Sequence, residues 1–148
     1  MEAETIEEVF YEEAITQKIY TLNSIRAATF FGGPLVAGYL ISENYRVFNE
    51  DKKSKLAIVY GAIATIILFG AIFMIPDNIN VPTYIVPLIY SWLTYLIVQK
   101  LMGGQMKMHV TSGGPVFTIW RALLVALIGA AVTLAGVFVV IFISGFIR

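Results

Sequence analysis

Apolar and polar positions alternate along the chain in long blocks rather than at a strand or surface-helix period. Residues 27–42, 56–75 and 122–147 carry no charged side chain, and residues 82–99 form a fourth block of the same kind. At 1.5 Å per residue the 20 residues of 56–75 reach about 30 Å and the 26 residues of 122–147 about 39 Å, against a hydrocarbon core of about 30 Å. The pattern predicts an all-α membrane protein with four transmembrane helices at approximately 25–42, 56–75, 82–101 and 118–147, together a transmembrane domain over residues 23–148. Ahead of it, Ile6, Phe10, Ile15, Ile19 and Leu22 recur at helical intervals among Glu2, Glu4, Glu7, Glu8, Glu12 and Glu13. Residues 1–22 are therefore expected to form an acidic amphipathic helix, packed on the membrane domain or docked to a partner. Asn23 and Ser24 are candidate caps for the helix that follows.

The first block is the irregular one. Its 16 residues make only about 24 Å of helix, and Gly32-Gly33-Pro34 falls near its middle. Proline removes a backbone donor and crowds the preceding turn. The segment is either a kinked spanning helix, with Arg26 snorkelling to the interface, or a re-entrant half-helix; the tolerance of membrane helices for Gly and Pro favours spanning. A broken helix can expose backbone dipoles to an ion. The plainer expectation is close packing through Gly33, Ala37 and Gly38. Gly32, Gly33, Pro34 and Gly38 thus form the candidate functional or packing motif. In the last block Ala122, Ala126, Gly129, Thr133 and Gly136 recur at spacings of four and three, a small-residue seam that lets two backbones approach, within the chain or between protomers.

The third block carries Asn80 as a candidate cap, Pro82 in a first turn and Pro87 where a kink is expected. The polar connections are placed at residues 43–55, with Arg46, Lys52, Lys53 and Lys55, and at 102–117, with Lys107 and His109. The turn at 76–80 has no basic residue. The positive-inside rule then puts 43–55 and 102–117 in the cytoplasm and the C-terminus outside. The first residues, Met1-Glu2-Ala3-Glu4, lack a basic n-region, so insertion is expected to use the chain's own helices.

Composition agrees with the pattern: 58% of residues are hydrophobic and 14% charged, against roughly 25% charged in soluble domains. Net charge is zero, and the basic residues form no stripe for nucleic acid. With no cysteine and one histidine, thiolate chemistry and Cys- or His-rich metal sites are excluded. Carboxylates are missing from the middle of the last three blocks, and no nucleophile–base grouping occurs. Neither catalytic nor cofactor nor metal residues are expected, and the chain reads as a non-enzyme.

The run Ile25-Arg26-Ala27-Ala28-Thr29-Phe30-Phe31-Gly32-Gly33-Pro34-Leu35, continuing Ala37-Gly38-Tyr39-Leu40-Ile41 and Asn44-Tyr45, resembles a motif of small bacterial multi-pass inner-membrane proteins. The later Gly-Gly followed by Trp120-Arg121 is also similar. The resemblance implies a bacterial cytoplasmic membrane protein and carries no activity or site residue with it. The function expected is that of a structural or accessory subunit of a membrane assembly. The alternative is a small oligomeric transporter or channel using the broken first helix. In either case the partners are the lipid bilayer and a second copy or another membrane protein.

Overall fold

The computed structural model describes Glu8, Val9 and residues 16–146. Four helices follow in order: α1 (Leu22–Val47), α2 (Asp51–Phe73), α3 (Ile85–Thr111) and α4 (Ile119–Phe146). All four are long and apolar enough to cross a membrane. Most of the acidic helix expected over 1–22 lies outside the described residues. Its last part differs from expectation: residues 18–21 are not helical, and Ile19 forms an isolated parallel bridge with Val116.

The helix α1 is not one rod. Gly33 has φ 80° and ψ −177°, outside any helical region, and two helical runs join there. The contacts at the two ends give the angle between them. The Tyr20 N–H donates to Asn44 Oδ1 at 2.7 Å, and Asn44 Nδ2 donates to the Tyr20 carbonyl at 2.8 Å. A straight helix would hold residues 20 and 44 about 36 Å apart. The chain therefore reverses at Gly33, and residues 22–32 and 34–47 lie as two arms of a hairpin. Ile25 and Ala28 of the first arm join Val36, Leu40 and Tyr45 of the second in one buried core.

This hairpin is the centre of the fold. The second arm packs on α2, where Gly38 meets Gly61 and the Ser42 and Ser54 hydroxyls share a hydrogen bond of 2.8 Å. Gly32 approaches Ala126 of α4, and Val36 approaches Gly129. On the α3 side, Met102 lies beside Asn44 and Tyr90 reaches Phe30. Beyond the hairpin's tip the outer halves of α2 and α4 are exposed, and only 6% of the most apolar window of each is buried.

Element ends differ from those the hydropathy predicts. The connection between α1 and α2 shrinks to residues 48–50, so most of the polar stretch 43–55 is helix. Likewise α3 runs on to Thr111 through most of the expected connection 102–117. Gly103 and Gly104 each weaken a helix by roughly 0.5–1 kcal/mol relative to Ala. The helix continues there with Met102, Met106 and His109 buried against the rest of the bundle. Thr21, not Asn23 or Ser24, caps α1, its Oγ1 accepting from the Ser24 N–H at 3.2 Å. Tyr84 precedes α3 in place of Asn80, which puts Pro87 in the first turn, where its missing N–H leaves no gap in the ladder.

Candidate functional site

The three residues of the Gly-Gly-Pro motif do different things. Gly33 occupies a backbone region open almost only to glycine, and a Cβ there would meet nothing within 4 Å. It serves the reversal and not packing, which corrects the expectation of a Gly33–Ala37 packing face. Packing falls to its neighbours. A Cβ on Gly32 would lie 2.9 Å from the Ala126 Cα, and one on Gly38 would lie 2.6 Å from the Ala57 carbonyl oxygen.

Pro34 has a specific consequence. In an unbroken helix the N–H of residue 34 would donate to the carbonyl of residue 30. Proline has no such donor. The Phe30 carbonyl is instead taken by the Tyr90 hydroxyl of α3, at 3.0 Å. The break is thus repaired from a neighbouring helix, and the other buried polar groups are similarly engaged. Thr29 Oγ1 donates to the Ile25 carbonyl at 2.7 Å. Among the described residues no buried side-chain nitrogen or oxygen lacks a partner.

The base of the hairpin is a second polar cluster. Asn44, fully buried, pairs with both backbone groups of Tyr20 as a β-partner would. Residues 19 and 115–117 are joined by Ile19 N–H to the Pro115 carbonyl (3.3 Å) and Phe117 N–H to the Ile19 carbonyl (2.8 Å). His109 Nε2 lies 3.0 Å from the same Pro115 carbonyl, with Gly114 against its ring. Arg121 stacks over Phe117 at 4.1 Å and donates to the Tyr20 hydroxyl at 3.3 Å. At the α1–α2 corner Glu50 pairs with Lys53 and accepts from Gln105 Nε2 at 2.6 Å. These two bonds, with Lys53 first, hold the Glu50 carboxyl below its ordinary value of 4.5, against a smaller opposing effect of burial. Arg26 lies over Trp92 (5.0 Å) and Tyr95 (5.4 Å).

The small-residue seam divides in two. Ala122 and Ala126 are buried on the hairpin and Gly129 meets Val36, whereas Thr133 is half-buried and Gly136 faces open space. Gly32 and the seam therefore meet at Ala126, with Val36 against Gly129, whereas Gly38 packs on α2 and Gly136 joins neither. Sequence reading passed over Tyr90 and Asn44 as functional residues. The carbonyl four residues before Pro34 was the available signal for a donor like Tyr90; nothing local signalled that Asn44 would face Tyr20. Among the described residues no His, Asp or Glu cluster could hold a metal. No family model matches the chain, and no curated protein or solved structure matches it.

Proposed function

We propose that the chain is a non-enzymatic integral membrane protein, a structural or accessory subunit of an assembly in a bacterial cytoplasmic membrane. In this reading α1 enters the bilayer as a re-entrant hairpin from the basic, cytoplasmic side. Its first arm of 11 residues reaches about 16 Å, half the hydrocarbon core, while α2, α3 and α4 span. One observation carries the reading. The carbonyl that Pro34 leaves without its helical donor is taken by Tyr90, and no buried side-chain nitrogen or oxygen among the described residues lacks a partner, which supports a scaffold role for the hairpin. The bare outer halves of α2 and α4 supply surface for a neighbouring membrane protein, and the resemblance of the first-arm motif supports the location.

The test is purification from native membranes in mild detergent, with the mass and composition of the intact complex determined. A stoichiometric second protein is expected. Gly136→Leu, which adds bulk in open space and leaves the chain's own contacts alone, should release that partner without lowering the yield. A lone homo-oligomer that conducts solute after reconstitution would overturn the reading in favour of a channel.

A further inference from the structure

We draw no further inference here: the strongest candidate, the exposed apolar faces of α2 and α4 beyond the hairpin tip, carries none, since nothing in the structure shows what covers them.

Discussion

At the residue scale, glycines with the same chemistry serve opposite ends. Gly33 and Gly70 both have open space where a Cβ would stand, but Gly33 has φ 80° while Gly70 lies within a regular helix. Alanine at Gly33 meets no neighbour, so its whole cost is conformational, about 1–3 kcal/mol for a side chain in that region. Alanine at Gly70 relieves the entropy of a helical glycine, a gain of roughly 0.5–1 kcal/mol. Thermal unfolding in one detergent should therefore show Gly33→Ala with a lowered midpoint and Gly70→Ala with an equal or raised one. A Gly33→Ala protein as stable as the parent would mean that the reversal does not need the left-handed residue. Tyr90 follows the same logic of local necessity, because the carbonyl orphaned by Pro34 sits among apolar neighbours and would otherwise lose a hydrogen bond to no compensation.

At the scale of elements, blocks of uncharged residues were enough to locate the four helices, since hydropathy over a 20-residue window reads the solvent and little else. The ends of those helices and the shape of α1 were beyond that signal. Charged residues such as Lys52, Lys53 and Lys107 read as loop in a hydropathy profile, yet they lie on helical turns that extend past the apolar blocks. The reversal at Gly33 depended on a long-range pairing, Asn44 with Tyr20, which spacing alone does not reveal. The candidate motif was legible as a place, and its division into a conformational glycine, packing glycines and an orphaned carbonyl required the neighbours. The extended ends also create tertiary links, of which Glu50 is the clearest. Its carboxyl is held below 4.5 by Lys53 and then Gln105, so the charged form is favoured in the folded state. That contribution is present above pH 4.5 and is lost as pH falls through the lower, folded value. Acidification from about pH 6 to about pH 3 should lower the unfolding midpoint of the parent protein more than that of Glu50→Gln. Equal losses would show that the corner contributes nothing to the tie between α1 and α3.

At the scale of the whole molecule, the hairpin makes the two ends of the bundle unequal. On the basic side five helical segments pack together, the two arms and the inner halves of α2, α3 and α4, and almost all of the buried core lies there. On the far side α2 and α4 continue for several turns with nearly every side chain exposed. A spanning α1 and a re-entrant α1 differ in one decisive respect, the side on which residue 17 lies relative to residue 52. Asn44 grips Tyr20, so both residues must lie on one side. The chain contains no cysteine, so single-cysteine variants report without background. Gln17→Cys, Lys52→Cys and Asn78→Cys each replace an exposed residue. With an impermeant maleimide, the first two should label only in inside-out vesicles and the third only in right-side-out vesicles. Labelling of residues 17 and 52 from opposite sides would require a spanning α1, and the Tyr20–Asn44 pairing could not then exist in the membrane. Labelling of 17 and 52 together but from the outer face would keep the hairpin and reverse only the orientation.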